Sequence, residues 1–185
     1  MSELISGKII SAQINEELRN EVEHLKARGV EPCLAVILVG EDPASAVYVR
    51  NKKRTCAELG IRSIGHDLPE TTSQEELENL VHDLNNDTSV HGILNQFPLP
   101  KGLDESRVIR TISPEKDVDG LHPLNAGLIA MGQPSFISCT PYGVLQMLKR
   151  SDISTSGKKV VVLGRSNLVG RPIATLLSSK GWDST

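Results

Sequence analysis

The sequence predicts an α/β fold with a mainly parallel sheet, and three observations predict it. The apolar run Cys33-Leu34-Ala35-Val36-Ile37-Leu38-Val39 is rich in β-branched residues and reads as a strand buried on both faces. Shorter strand patterns follow at Ile61–Leu68 and Val90–Leu94. Helical segments with recognisable starts separate them, and strands alternating with helices at this rhythm favour parallel pairing.

Taken in order, Ile10, Ile14, Leu18, Val22 and Leu25 recur at helical spacing and Gly29 closes the run, so a helix precedes the first strand. Gly40 breaks that strand. Asp42 can cap the next helix, Pro43 suits its first position, where no amide hydrogen is needed, and Gly60 stops it. Tyr48 and Lys52 then lie one turn apart on one face. They follow the carboxyl end of a strand, where open α/β sheets place ligands. Taken alone, the pair also suits a solvated lysine beside a packing tyrosine. Ser73 with Glu76 forms a capping-box pattern, and Leu77, Leu80, Val81 and Leu84 give the apolar face of a further helix.

Gln96 stands at the carboxyl end of the third strand pattern. Gln96-Phe97-Pro98-Leu99-Pro100 leaves the sheet edge as a stiff loop, because each proline lacks a ladder donor. The loop Ser113–Pro123 packs Glu115, Lys116, Asp117, Asp119 and His122 between prolines and reads as a solvated surface turn; Asp117, Asp119 and His122 match no standard metal-ligand spacing. Thr140-Pro141 reads as cap and first position of a helix with Val144, Leu145 and Leu148 inward, and Ser151–Ser156 as loop. Lys159–Leu163 then predicts a strand, Gly164 a turn, and the residues up to Pro172 a helix start. A Rossmann unit presents backbone amides to a pyrophosphate in this order. The regular glycine fingerprint is not met: Gly164 takes the first position, Ser166 the second and Val169 the third, with Gly170 one residue late. A plain strand-to-helix connection fits the pattern equally well.

Composition narrows the partners. A net charge of -3 with no basic run, and only two phenylalanines, two tyrosines and one tryptophan, argue against a nucleic-acid partner. No apolar stretch approaches the roughly 20 residues needed to span a bilayer, and Met1-Ser2-Glu3-Leu4 shows no basic region or apolar signal core. A cytoplasmic protein without a membrane partner is expected, with Cys33, Cys56 and Cys139 as free thiols.

Five ordered segments together resemble the bifunctional methylenetetrahydrofolate dehydrogenase/methenyltetrahydrofolate cyclohydrolase family. They are Tyr48-Val49-Arg50-Asn51-Lys52, His91 through Pro100, Pro114 through Gly120, Cys139-Thr140-Pro141-Tyr142-Gly143, and Gly164 through Pro172. The resemblance implies an N-terminal α/β folate-binding catalytic domain over residues 1–120. It implies the start of a Rossmann-like NAD(P)-binding domain over 121–185.

It further implies that Lys52, Tyr48 and Gln96 are catalytic and, with Asp119, bind substrate. Tyr48 would stack on the pterin, since an aromatic face suits a flat heterocycle. Lys52 would carry the proton chemistry, as an amine partly desolvated in a cleft can exchange protons near neutral pH. Gln96 would support Lys52 by hydrogen bonding. Asp119 would accept the donor pair that the pterin offers, in fork geometry. Asp117 is placed as loop structure. Gly164, Arg165 and Ser166 are the cofactor-binding residues of this reading, with NADP favoured by the charge of Arg165 and NAD left open. The reaction implied is hydride transfer from 5,10-methylenetetrahydrofolate to NADP, followed by hydrolysis to 10-formyltetrahydrofolate, in a homodimer and with no metal required. A cyclohydrolase without dehydrogenase activity, or a folate-binding piece without turnover, are the alternatives.

Two departures stand out. Asn95 replaces the valine usual before the glutamine, and Phe97 the usual leucine, so the pocket wall or the packing behind it is expected to differ. The family pattern would also continue beyond Thr185 through the rest of the nucleotide-binding sheet, so the chain reads as truncated there.

Overall fold

The computed structural model describes residues 4–185; Met1–Glu3, read above for a targeting signal, lie outside the described residues. Residues Asn15–Asp117 form one compact unit, and Val118–Thr185 with the N-terminal residues to Ile14 form another.

The first unit is a three-stranded parallel sheet in the order β2-β1-β3, with β1 at Cys33–Val39, β2 at Arg62–Leu68 and β3 at Gly92–Asn95. Helix α1 (Gly7–Ala27) precedes β1, and α2 (Pro43–Leu59) links β1 to β2. Helix α3 (Gln74–Asn86) links β2 to β3. The expected signals for α2 all operate. The Asp42 carboxylate accepts from the Ser45 amide at 2.7 Å, Pro43 opens the helix, and Gly60 closes it at φ +77°, donating its amide to the Ala57 carbonyl. The Ser73–Glu76 capping box starts α3.

Because β1 is central, both of its faces are covered, which is why its sequence is apolar without alternation. Cys33, Ala35, Ile37 and Val39 face a core with Leu77, Val81 and Leu84 of α3 and Val108 of a short helix α4 (Glu105–Thr111). Val36 and Leu38, on the alternate positions, are buried on the other face, where α2 packs on β1 and β2. Strand β3 begins at Gly92, in register with Leu34 of β1, rather than at Val90; just before it the His91 amide already donates to the Cys33 carbonyl. Val90 is nevertheless 1% exposed and belongs to the core.

The loop Ser113–His122 is less solvated than its charges suggest. The Lys116 ammonium donates to the carbonyls of Leu84, Asn85 and Asp87 at 2.8–2.9 Å, so this cation closes the carbonyl end of α3. Its own carbonyl accepts from Ile93, and the next residue, Asp117, is buried in an isolated bridge to Ile93.

In the second unit, α5 (Pro123–Ala130), α6 (Cys139–Arg150) and α7 (Gly170–Ser178) enclose a small apolar cluster of Ile129, Leu145, Leu176 and Leu177. Helix α6 starts earlier than expected, with Ser138 and not Thr140 in the capping place. The predicted strand at Lys159–Leu163 is corrected. No strand is assigned there, and Val161 and Leu163 are 75% and 96% exposed. An extended segment becomes a strand only where a neighbour pairs with it. Here the pairing is confined to Val160 donating to the Thr185 carbonyl and Thr185 donating to Lys158.

Candidate active site

The topology of the first unit marks one end of the sheet. From β1 the chain runs through α2 to β2 on one side, whereas β3 lies on the other side of β1, with α2 and α3 on opposite faces. Strand order therefore reverses beside β1, and the crevice at the carboxyl ends of β1 and β3 is the switch point where such sheets hold ligands.

Lys52 and Gln96 meet at that place. Asn95 pairs with Ile37 on the α3 face, so Gln96, one residue on, turns to the α2 face. There the half-buried Lys52 ammonium donates to Gln96 Oε1 at 3.2 Å. Gln96 Nε2 donates to the Phe97 carbonyl at 2.8 Å, which fixes the amide so that its oxygen is the atom left for the lysine. Tyr48, one turn before Lys52 on α2, is 62% exposed, so its ring is open to a ligand. The neighbouring Lys53 is employed elsewhere. It lies over Gly65, where a side chain would collide with its ammonium, and pairs with Asp67 at 3.5 Å.

The departure at Asn95 falls behind this site and not in it. Its side chain is 2% exposed on the α3 face, and neither of its amide atoms has a hydrogen-bond partner. Burial pushes the thiols of Cys33 and Cys56 up, so both favour the neutral, unreactive form. Among the described residues no group of three or more His, Cys, Asp and Glu side chains could hold a metal ion. No helix among them is long and apolar enough to cross a membrane.

In the second unit, Asp119 is half-buried, and the Cys139 thiol donates to its Oδ1 at 3.8 Å. Gly120 makes that approach possible. It sits at φ +63°, and a Cβ there would lie 2.7–2.8 Å from the backbone of Phe136, Ile137 and Ser138. Gly164, Arg165 and Ser166 form an exposed turn leading into α7. Gly164 is at φ +131°, and its carbonyl occupies the space a Cβ of Gly170 would need, so the late glycine in the sequence is the one that lets the turn fold against the helix start. The Ser166 hydroxyl accepts from the Val169 and Gly170 amides and so caps α7 from inside the turn. The contacts of Cys139 and Gly120 carry no local sequence signal, because both depend on chain segments that are distant in sequence.

The catalytic-domain model of the tetrahydrofolate dehydrogenase/cyclohydrolase family matches residues 5–119, and its NAD(P)-binding-domain model matches residues 138–185. The bifunctional protein FolD of Agathobacter rectalis is 54% identical over 177 residues, covering 96% of this chain and 63% of that protein. That of Magnetococcus marinus is 55% identical over 178 residues, covering 96% and 62%. Among solved structures, the bifunctional FolD enzyme of Campylobacter jejuni superposes with a TM-score of 0.96 at 46% identity, over 99% of this chain and 65% of that one. The Trypanosoma brucei methylenetetrahydrofolate dehydrogenase-cyclohydrolase, complexed with NADP cofactor and an inhibitor, gives 0.93 at 37% identity over 100% and 63%. The chain thus spans about 63% of the length of the curated relatives it matches. With the catalytic-domain match running from residue 5 to residue 119 of 185, and the second domain matched after it in order, the chain belongs to the tetrahydrofolate dehydrogenase/cyclohydrolase family.

Proposed function

We propose that this chain acts in one-carbon folate metabolism, oxidising 5,10-methylenetetrahydrofolate with NADP and hydrolysing the methenyl product to 10-formyltetrahydrofolate. Residues 1–120 serve as the folate-binding catalytic domain and 121–185 as the beginning of the NAD(P)-binding domain. The observation that carries this reading is the Lys52–Gln96 contact at the switch point of the sheet, with Tyr48 one turn away.

Each residue has a role its chemistry supports. Tyr48 offers an exposed aromatic face for the pterin. Asp119 offers a carboxylate to the ring NH and exocyclic amine of the pterin. Lys52 Nζ takes the proton that water loses as it adds to the methenyl carbon and gives one to N5 as the bond from that carbon to N5 breaks, the remaining hydroxyl proton leaving to solvent as the formyl group forms. The fixed Gln96 oxygen keeps the lysine nitrogen in place. Because Lys52 stands on α2 and Gln96 directly follows β3, with its backbone amide donating to the Ile37 carbonyl, their separation is set before substrate arrives.

The turn at Gly164–Ser166 suits a dinucleotide. The glycine contact at Gly170 brings the turn close to a helix start, and the Arg165 cation lies on exposed chain beside it. When bound there, the nicotinamide supplies the hydride acceptor. The same reading makes the protein a cytoplasmic homodimer with a tetrahydrofolate substrate and no nucleic-acid or membrane partner; light scattering after size exclusion measures the dimer directly.

The test follows methenyl-group absorbance. NADP-dependent appearance of the methenyl product from 5,10-methylenetetrahydrofolate, and NADP-independent decay of added methenyltetrahydrofolate, are both expected. Decay without appearance would leave a cyclohydrolase alone, and neither would remove the enzymatic reading.

A further inference from the structure

Ser138 occupies the capping place of α6, yet its hydroxyl makes no cap. Instead it donates at 3.0 Å to the Leu168 carbonyl, inside the turn that leads to α7, and the residue is only 9% exposed. A serine before a helix ordinarily satisfies that helix's own first amides. Here its one donor is committed to another loop. The backbone of the same residue lies against Gly120, where a Cβ would come within 2.8 Å of the Ser138 nitrogen. The next residue, Cys139, places its thiol on the Asp119 carboxylate. The start of α6 therefore touches two loops at once, one carrying Asp119 and the other carrying Gly164, Arg165 and Ser166. A backbone-on-backbone contact holds the first and a partly buried hydrogen bond holds the second.

We propose that Ser138 is a positioning residue that holds the turn Gly164–Val169 in register with the Asp119 loop, so that a pterin held on Asp119 and a dinucleotide held on the turn strengthen each other's binding. This rests on the functional reading given above. The turn is exposed, and side-chain links to it among the described residues include the Ser166 hydroxyl accepting from the Val169 and Gly170 amides and the Ser138 bond to the Leu168 carbonyl. A ligand that steadies the Asp119 loop steadies the start of α6, and through Ser138 the Leu168 carbonyl. Linkage requires the reverse effect to be equal.

The test is a calorimetric cycle on the full chain, with NADP and tetrahydrofolate as probes, the latter having no one-carbon unit to react. Saturating tetrahydrofolate tightens NADP binding in the unaltered protein by about fivefold or more. In Ser138→Ala that factor drops to within about twofold of unity, a separation from the unaltered value that a calorimetric cycle resolves. The melting temperature and the affinity for each ligand alone change little, and Ser138→Thr, which keeps the hydroxyl, restores the factor. A merely structural role would lower the melting temperature or both affinities and leave the factor alone. An unchanged factor in Ser138→Ala, or a factor of one in the unaltered protein, overturns the inference. If the unaltered protein binds neither ligand, the functional reading falls first and the inference with it. Should Ser138→Ala fail to fold, hydrogen exchange decides in the unaltered protein: slower exchange at the Val169 and Gly170 amides on adding tetrahydrofolate alone supports the tie, and no change there overturns it.

Discussion

In residues 15–117 the groups proposed to act are held by a helix and a strand end: Tyr48 and Lys52 stand on α2, and Gln96 directly follows β3. In residues 118–185 they stand on loops, with Asp119 before α5 and Gly164–Ser166 before α7. The cores differ in the same sense. The first is built around a strand buried on both faces, the second around a few residues from three short helices. A sheet fixes side chains by its own register. The loop region has no such lattice and relies on glycines that let backbones touch, at Gly120 and Gly170. On the function proposed above, the proton chemistry and the pterin-stacking face fall to the part built on a sheet, and the Asp119 and dinucleotide contacts to the part that depends on close backbone approach.

The largest effect that could break this comparison is at Lys52. Lys52→Met keeps the fold, since the lysine is only half-buried on a well-capped helix, while methenyltetrahydrofolate hydrolysis drops by about 10² to 10⁴, the range for a lost proton-transfer group. Near-normal turnover in a folded variant would move the chemistry away from the sheet.

Core truncations come next. Ile37 is 0% exposed at the centre of β1 and Leu177 is 4% exposed in the smaller cluster. Ile37→Ala should cost about 4 kcal/mol of unfolding free energy and Leu177→Ala about 2 to 3 kcal/mol, because the smaller cluster can collapse more readily into the space left. Equal losses in denaturant titrations would show that both regions are packed alike. On the recognition side, Asp119→Ala weakens tetrahydrofolate binding by ~1.5 to 3 kcal/mol, the scale of charged hydrogen bonds. Calorimetry showing unchanged affinity would take Asp119 out of the site.

The same contrast governs what the sequence disclosed. The caps of α2 and α3 were legible because Asp42, Pro43, Gly60, Ser73 and Glu76 act on neighbours within a turn or so. Helix spacing and strand ends single out Lys52 and Gln96, while their pairing comes only through the family resemblance; the register of Asn95 with Ile37 explains why their side chains meet. Helices α4 and α5 escaped, being short, although His122 and Pro123 begin α5 with the capping and first-position chemistry used elsewhere. Lys116 read as a solvated charge because its acceptors, the last carbonyls of α3, lie about 30 residues earlier, a distance pattern reasoning does not cross. The strand expected at Lys159–Leu163 rests on its β-branched composition, which reports what a segment can bury and not whether a neighbour pairs with it.

A smaller effect sharpens the account of the sheet itself. Asn95 buries two amide atoms without partners on the apolar α3 face. Asn95→Val should therefore raise stability by about 1 kcal/mol, the lower end of the penalty for unsatisfied buried polar atoms. Activity should hold, because the side chain points away from Lys52. A less stable Asn95→Val would mean that the amide has a role in the native sheet.

The smallest effect concerns acid. The hydrogen bond from the Ser45 amide holds the Asp42 carboxyl below its ordinary value of 3.8, and hydrogen bonds from Ser73 hold Glu76 below 4.5. A carboxyl whose folded-state value is depressed binds its proton more readily in the unfolded chain. Its contribution is complete above the ordinary value and is lost as pH falls through the lower folded-state value. The caps that start α2 and α3 should therefore weaken from about pH 4.5 downward, and helix α2 carries Tyr48 and Lys52. Asp42→Asn separates this from general acid unfolding, because asparagine caps nearly as well and does not titrate. At pH 7 the two proteins should melt at similar temperatures. As pH falls below about 3.8, the ordinary value of Asp42, the unaltered protein should lose its melting temperature faster, so that any advantage it holds over Asp42→Asn shrinks, while Glu76 titrates alike in both. Parallel pH profiles for the two would show that the α2 cap is not what acid attacks.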